Sequence, residues 1–229
     1  MEYVLGIDSS SLELGIGLVI GVQPVMAVSR YLGNSHAEHI SECIDYLLKS
    51  NNVQAKDITH AGIATGPGSF TGLRIGISFL KGFFLYRDAN VLQVSSLESM
   101  AGSWHSDGRN IVCASDARNG HVYWARFNKA DGTITRLSPD ALIPAHEFKS
   151  VVNDSDIILT DTLGYTKSVV FNFLMDRPDA YSVQDHPLQR GLSCALLAAK
   201  KVNDTSVWKT AGQIVPEYLS SIPVEKKKT

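Results

Sequence analysis

The stretch Gly66-Pro-Gly-Ser-Phe-Thr-Gly-Leu-Arg-Ile-Gly76 decides most of what can be predicted about the fold. The apolar run Ala61–Thr65 leads into it and predicts a short buried strand. The run Ile77–Tyr86 follows it with the length and composition of a helix. A strand, a glycine-rich turn and a helix in this order direct backbone N–H groups and a helix N-terminus at an anion or at another chain.

The sequence of this turn excludes two common phosphate-binding loops. A Walker loop needs a Lys-Ser or Lys-Thr pair after its glycines, and none follows here. The dinucleotide fingerprint G-x-G-x-x-G is broken by Pro67 and by the spacing of the glycines at positions 66, 68 and 72. The turn therefore needs another explanation.

The helix after the turn has a glycine face and an apolar surface. Gly72 and Gly76 lie four residues apart on one helical face, so another backbone could approach closely there. Ser69 or Thr71 can cap the start of the helix. Because apolar residues surround the helix almost completely, we expect cover on two sides, by its own sheet and by a second subunit. The simpler alternative is a glycine-rich turn that leads into an ordinary core helix.

The whole chain has the size and composition of a protein with a full core. Its 229 residues, 44% of them hydrophobic, suffice for one large domain or for two lobes. A net charge of −2 and a pI near 6.4 do not indicate the basic surface that nucleic-acid-binding proteins use. We interpret the basic run Lys226–Lys228 as a solvated end of the chain rather than a binding site.

The three cysteines predict buried free thiols. Cys43, Cys113 and Cys194 each lie in an apolar run, and no C-x-x-C spacing occurs. Free thiols are typical of a reducing compartment. No signal-like segment and no apolar run of bilayer length is present, so we expect a soluble, cytoplasmic protein with no membrane partner.

The first half of the chain predicts a mixed sheet with packed helices, in the α/β class. Three strands joined by short turns form an antiparallel meander, and helices alternate with strands after it. The segments are Tyr3–Asp8, Leu12–Ile20, Pro24–Tyr31, a helix capped by Asn34-Ser35, the strand before Gly66, the helix after it, the strand Val91–Val94 and a helix from Ser95.

Two groups of polar residues in this half are candidates for a metal site. Asp8 ends the first strand beside Ser9, Ser10 and Ser11, an arrangement that could hold a metal–phosphate complex; the alternative is a carboxylate that caps its own turn. His36 and His39 have a spacing that suits zinc, but no third ligand lies nearby, so we expect them to line a surface or an interface.

The second half repeats the sequence pattern that opens the first. The polar segment Ser103–Asn110 marks a boundary between two lobes, residues 1–106 and 107–229. Ile111–Asp116 is again a strand that ends on Asp, followed by a turn and the strand His121–Phe127. Further predicted elements are a hairpin at Asp131-Gly132, a short helix from 145 to 152, a strand at 156–160, a helix at 165–174 and a last helix with an apolar face from 188 to 202.

The glycine-rich stretch closely resembles the signature of the TsaB (YeaZ-type) family, subunits of the bacterial machinery that makes threonylcarbamoyladenosine in tRNA. Two lobes that each open with strand, Asp, turn and strand are similar to the actin-like ATPase (ASKHA) superfamily. The resemblance is strong from Val4 to Gly102, recognisable at Asp116–Ala125 and thin afterwards. It implies a two-lobed actin-like ATPase (ASKHA) fold, each lobe a mixed sheet with packed helices.

The resemblance further implies a chain without its own reaction centre. The catalytic relative, TsaD, carries two metal-ligand histidines as H-x-x-x-H, and Ser96 and Met100 stand at those places here. Active members have a paired-glycine turn where Asp161–Gly164 has one glycine. We therefore expect no catalytic residue, no metal ligand and no cofactor bound by this chain alone, with Asp8 and Ser10 as the remaining cofactor candidates.

The implied function is that of a scaffold subunit. It would bind a TsaD-like catalytic subunit, which transfers a threonylcarbamoyl group to N6 of adenosine 37 in tRNA, and would help to recruit a TsaE-like ATPase. ATP and a divalent metal are expected in those partners, a homodimer in their absence, and only indirect contact with tRNA. The predicted partner interface comprises His36, Ile40, Gly68, Phe70, Gly72, Gly76, Leu80 and Phe83.

Two alternatives stay open at this point. One is an active phosphotransferase or carbamoyl-transferring ATPase of the same fold, in which Asp8 coordinates a metal and Asp116 acts as a base. The other is a peptidase with Ser69 as nucleophile, although the chain contains neither G-x-S-x-G nor H-E-x-x-H.

Overall fold

A computed structural model of the chain describes residues 2–104, 108–160 and 189–219. Within these ranges, two five-stranded mixed sheets form the framework. The first sheet has the strand order β3-β2-β1-β4-β5. Its strands are β1 (Tyr3–Asp8), β2 (Glu13–Ile20), β3 (Gln23–Tyr31), β4 (Ile58–Gly66) and β5 (Asn90–Ser95). β1 to β3 form the predicted antiparallel meander, and β4 lies parallel to β1.

The second sheet repeats the opening of the first, as predicted. It has the order β10-β6-β7-β8, with β9 also paired to β7. Its strands are β6 (Asn110–Arg118), β7 (His121–Ala130), β8 (Thr133–Arg136), β9 (Ala141–Pro144) and β10 (Ile157–Thr160). In each sheet the first strand pairs antiparallel with the second and parallel with a later one. The hairpin predicted at Asp131-Gly132 is confirmed, since both residues adopt the positive φ that such a turn requires.

Two helices cover one face of the first sheet. They are α1 (His36–Ser50) and α2 (Phe70–Phe83), whose apolar side chains pack on Leu5, Ile7 and Ile16. α2 begins directly after Ser69, whose hydroxyl accepts a hydrogen bond from the Gly72 N–H at 3.2 Å. Of the two predicted caps, Ser69 is therefore the one used.

Some predicted helix ends are wrong. Ser35 precedes α1, but its hydroxyl donates to the Leu32 carbonyl instead of capping the helix. α2 ends at Phe83, so Tyr86 lies beyond the helix and is 97% exposed. The short helix predicted from 145 to 152 is present as a 3-10 helix, Ala145–Val151. By contrast, α3 (Ser96–Gly102) starts as predicted, with the Ser95 hydroxyl as its cap.

The last described helix, α4 (Arg190–Ala199), packs on the opposite face of the first sheet. Glycines on the central strands let its backbone lie against the sheet: a Cβ at Gly62 would be 2.1 Å from the Cys194 carbonyl oxygen, and one at Gly6 would be 1.9 Å from the Gly191 oxygen. The chain after α4 also stays with this sheet, because Lys209 pairs with Val91 of β5. Residues 190–219 thus pack with the first lobe, although they lie in the second half of the sequence.

All three cysteines are buried thiols outside any disulfide bond, as predicted. The turn at 161–164, the helix at 165–174, position 188 of the last helix and the basic run at 226–228 lie outside the described residues. In the ranges that are described, no helix combines the length and the apolar character needed to cross a membrane.

Candidate functional site

Asp8 lies at the carboxyl end of β1, where the first strand meets the polar turn, and it is 1% exposed. One carboxylate oxygen, Oδ1, accepts from the backbone N–H of Ser10 at 2.9 Å and from the Ser10 hydroxyl at 2.6 Å. The other, Oδ2, accepts from the Ser99 hydroxyl at 2.5 Å and from Arg190 Nε at 3.0 Å. Four donors therefore satisfy the four lone pairs of the carboxylate.

Arg190 is the cation of this cluster. It is the first residue of α4 and 4% exposed, and its Nη2 donates to the Ser10 hydroxyl at 2.7 Å and to the Ser96 carbonyl at 3.2 Å. The ion pair with Asp8 thus joins β1, the following turn, α3 and α4. Sequence reasoning missed Arg190, which lies between the apolar positions of the predicted last helix and 182 residues from Asp8. We call Asp8, Ser10, Ser99 and Arg190 the Asp8 cluster.

The resemblance to actin-like ATPases implies a nucleotide and a divalent metal near the first turn. The Asp8 carboxylate has no free lone pair, and its nearest cation is a guanidinium already in place. Among the described residues, no three His, Cys, Asp or Glu side chains come together in a way that could hold a metal ion. The Asp8 cluster therefore does not fit a metal–phosphate complex, and Asp8 and Ser10 lose their support as cofactor candidates.

A polar cleft of about 360 Å³ lies between the two lobes. Its walls are the Ser10–Ser11 turn, the start of α2 and the β6–β7 turn with Asp116 and Arg118. Asp116 is exposed, and its Oδ1 accepts from the Arg118 N–H at 2.7 Å, so this carboxylate caps its own turn. Nothing in this arrangement assigns Asp116 the role of a base.

The glycine face of α2 is closed by the chain itself. A Cβ at Gly72 would lie 2.0 Å from the Ser9 carbonyl oxygen, and one at Gly76 would lie 2.3 Å from Ser9 Oγ. The Ser9 hydroxyl donates to the Gly72 carbonyl at 2.9 Å. The predicted close approach of a backbone is therefore real but intramolecular. This corrects the placement of Gly72 and Gly76 in a partner interface, because Ser9 occupies the space that a partner would need.

Other predicted interface residues are also buried. Leu80 is fully buried in the core between α2 and the sheet, and His36 is 2% exposed. Burial lowers the pKa of His36, although hydrogen bonding to the backbone of Glu13 opposes this shift. His39, by contrast, pairs at the surface with Glu42, with 3.2 Å between Nδ1 and Oε2. The two histidines therefore do not form a common surface.

An apolar groove of about 470 Å³ remains open between α1 and α2. We call it the α1–α2 groove, and it is lined by Ala37, Ile40, Phe70, Thr71, Arg74, Ile75, Ser78 and Phe79. Ile40 is 3% exposed at its floor, whereas Phe70 is 52% exposed at its rim. Phe83 is half-buried next to Phe79, with ring centroids 5.9 Å apart. Of the predicted interface residues, Ile40, Phe70 and Phe83 thus belong to this groove or border it.

Aromatic rings and a guanidinium form the rim of the groove at the start of α2. The Phe70 ring stacks on Tyr218 with centroids 5.1 Å apart, and the Arg74 guanidinium carbon lies 3.7 Å from the Phe70 centroid. Arg74 Nε also donates to the Tyr218 hydroxyl at 3.2 Å. Glu217 fixes this tail on the turn, since its N–H donates to the Thr65 carbonyl at 2.7 Å. Gly68, also predicted for the interface, packs against the Ser10 carbonyl instead.

The chain is similar in sequence to proteins of one named group. It is 30% identical to the tRNA threonylcarbamoyladenosine biosynthesis protein TsaB from Bacillus subtilis over 154 residues, which cover 67% of each chain. Its alignments with further proteins of this name cover between 44% and 60% of their length.

The fold matches solved structures over nearly the whole chain. YeaZ from Pseudomonas aeruginosa superposes with a TM-score of 0.77 at 23% identity, covering 96% of this chain and 100% of the other. The activator of the 2-hydroxyisocaproyl-CoA dehydratase from Clostridium difficile, solved with bound ADPNP, superposes with a TM-score of 0.56 at 13% identity, covering 89% and 97%. The predicted actin-like ATPase fold is thereby confirmed.

A family model described as TsaD, tRNA N6-adenosine threonylcarbamoyltransferase, matches residues 20–161. This range begins at the last residue of β2 and extends just past β10, so it includes the glycine-rich turn and the opening of the second sheet, but not β1. Together with the relatives named TsaB and the solved structures named YeaZ, this match shows the family that the glycine-rich stretch predicted. The chain belongs to the TsaB (YeaZ-type) family.

Proposed function

We propose that this chain is a non-catalytic scaffold subunit in the biosynthesis of threonylcarbamoyladenosine in tRNA. It binds and supports a TsaD-like catalytic subunit, which transfers the threonylcarbamoyl group to N6 of adenosine 37. The name of the Bacillus subtilis relative supports a role of this chain in that pathway. The α1–α2 groove supports the binding role and is the observation that carries the proposal.

The groove has the composition of a protein contact. Its floor is apolar and its rim presents Phe70, Arg74 and Tyr218, residue types that dominate binding energy at protein interfaces. An apolar ridge on a partner helix fits such a groove. A second copy of the chain would use the same groove when the catalytic partner is absent, so homodimer and heterodimer compete.

The interior of the first lobe supports a non-catalytic role. Ser96 and Met100, which stand where the resemblance places the histidines of the catalytic relative, are 1% and 0% exposed. The Ser96 carbonyl accepts from Arg190, and Met100 packs in the core around α3. ATP and the divalent metal are then bound by the catalytic subunit and by a TsaE-like ATPase. The tRNA contacts this chain only indirectly, and the complex works in the cytoplasm.

The test is threonylcarbamoyl transfer to tRNA with ATP and threonylcarbamoyl-adenylate. We would compare this chain alone, the TsaD-like and TsaE-like proteins without it, and all three together. The scaffold role predicts product only in the full mixture. Transfer or ATP hydrolysis by this chain alone would instead favour an active ATPase of the same fold.

The variant Phe70→Asp tests the groove. An acid at the first position of α2 is compatible with the helix dipole, so the fold should be retained and can be checked by circular dichroism. Replacing an aromatic contact residue of an interface with a charged one predicts a loss of about 30-fold in affinity for the catalytic partner, with a matching loss of transfer. Val22→Asp is the matched control, because Val22 is 63% exposed in the β2–β3 turn, away from the groove. Unchanged affinity in Phe70→Asp would exclude the groove as the binding site.

A further inference from the structure

The Asp8 cluster contains a buried ion pair that is surrounded by hydrogen-bonding groups. The Asp8 and Arg190 side chains are 1% and 5% exposed, so both charges have lost their hydration. Such a pair is tolerated only where hydrogen bonds satisfy the remaining donors and acceptors. Here the donors come from the turn after β1, from α3 and from α4.

The oxygen atoms around Arg190 are those that a divalent cation would use. The guanidinium donates to a carboxylate oxygen of Asp8, to the hydroxyl of Ser10 and to the carbonyl oxygen of Ser96. Carboxylate, hydroxyl and carbonyl oxygens are the donor set of Mg²⁺ and related hard cations. The Arg190 guanidinium, which belongs to the chain itself, therefore occupies a pocket of oxygen ligands that suit a hard cation.

The position of α4 keeps this cation in place. Gly191 follows Arg190 directly, and a Cβ at Gly191 would lie 2.3 Å from the carbonyl carbon of Gly15 in β2. A Cβ at Gly15 would in turn lie 2.7 Å from the Gly191 nitrogen. Because the two backbones touch, the main chain of Arg190 is held against β2, and the hydrogen bonds to Asp8, Ser10 and Ser96 hold its guanidinium in place.

We propose that Arg190 is a built-in replacement for a divalent cation at Asp8. It holds the β1–β2 turn, α3 and α4 together without any ligand, and it prevents a metal–nucleotide complex from binding through Asp8. This role goes beyond the scaffold function and does not depend on the tRNA pathway. A negative result in the transfer assay would therefore not contradict the proposed role of Arg190. A negative result in the tests of Arg190 would not contradict the scaffold function.

The unmodified chain provides the first test. Free Mn²⁺ is measured by electron paramagnetic resonance while the protein is titrated, and MgADP binding is measured by calorimetry. The proposal predicts no Mn²⁺ site and no Mg²⁺-dependent ADP binding that involves Asp8. A Mn²⁺ or MgADP site in the unmodified chain that disappears in Asp8→Asn would overturn it.

The variant Arg190→Ala provides the second test. Removal of one partner leaves the Asp8 carboxylate buried and unpaired, so we expect the melting temperature to fall by about 10 °C. Millimolar Mn²⁺ or methylguanidinium should restore part of this loss, and Mn²⁺ should now bind. The double variant Asp8→Asn/Arg190→Ala should bind no Mn²⁺, because the carboxylate ligand is gone.

Two controls complete the experiment. Arg30→Ala removes an exposed ion pair with Glu42 and should change neither the melting temperature nor Mn²⁺ binding. Arg190→Lys keeps a positive charge and should exclude Mn²⁺ even if Arg190→Ala does not fold. The proposal would be contradicted if Arg190→Ala folds and is as stable as Arg30→Ala. It would also be contradicted if neither Mn²⁺ nor methylguanidinium stabilises Arg190→Ala. Binding of Mn²⁺ by Arg190→Lys would contradict it as well.

Discussion

The contact between α4 and the first sheet makes Gly62→Ala an informative substitution. The added Cβ would lie 2.1 Å from the Cys194 carbonyl oxygen and 2.8 Å from its carbon. Both are backbone atoms of α4, so no side-chain rotation relieves the overlap. To reach an ordinary contact of about 3.4 Å, the helix must move outwards by roughly 1.3 Å.

Such a shift has two destabilising effects. Overpacking of a core by one methyl group costs about 1–3 kcal/mol. A shift of this size would also lengthen the 3.0 Å contact between Arg190 and Asp8 and weaken a buried ion pair. For a chain of this size each kcal/mol corresponds to about 2–4 °C, so overpacking alone should lower the melting temperature by about 2–12 °C, and the weakened ion pair should add to this.

Differential scanning fluorimetry of Gly62→Ala and Gly82→Ala measures this effect. Gly82 lies in the last turn of α2, and a Cβ there has no atom within 4 Å. The same substitution should stabilise the helix at Gly82 by about 0.5–1 kcal/mol, because alanine is the better helix former. If Gly62→Ala melts at or above the temperature of the unmodified chain, α4 does not lie on the sheet as described.

Three further predictions concern the cap of α2, the buried histidine and the thiols. Ser69→Ala should cost about 1 kcal/mol in thermal unfolding through loss of the cap, whereas Thr71→Ala, at the alternative position, should be close to neutral; equal effects would contradict the assignment. Burial lowers the pKa of His36, so as the pH falls the unfolded chain takes up the proton before the folded chain does. The melting temperature should therefore fall as the pH drops below about 6.5. This dependence of the melting temperature on pH should be weaker in His36→Gln, and an unchanged dependence would assign it to other groups. The three cysteines should react with a thiol reagent only after unfolding, since all are buried and burial raises the pKa of the Cys194 thiol well above its usual value; fast labelling of the native chain would refute this.

Local signals in the sequence were sufficient to predict most elements of the first lobe. The meander, the strand before Gly66 and the cap of α3 at Ser95 depend on residues within a few positions of each other. The repeated opening at Asp116 was also predictable, because the same short pattern of apolar run, acid and turn occurs twice. The helix end near Tyr86 was predicted less well, since apolar runs do not mark where a helix stops.

The candidate site was predicted only in part. Phe70 follows directly from the glycine-rich stretch, and it does lie at an exposed groove. Gly72 and Gly76 were rightly predicted to allow a close approach, but the approaching residue is Ser9 of the same chain. Sequence spacing predicts that a face is open to contact; it does not identify the contacting group, which depends on how distant segments pack.

Taken alone, the sequence determined the family, the fold class and the local elements, because glycines, caps and apolar periodicity act over a few residues. Only the tertiary structure decided that Arg190 pairs with Asp8 and that α4 and the tail belong to the first sheet. These contacts join residues more than 100 positions apart, and their free energy comes from burial and from the exclusion of water, which exist only once the chain has folded.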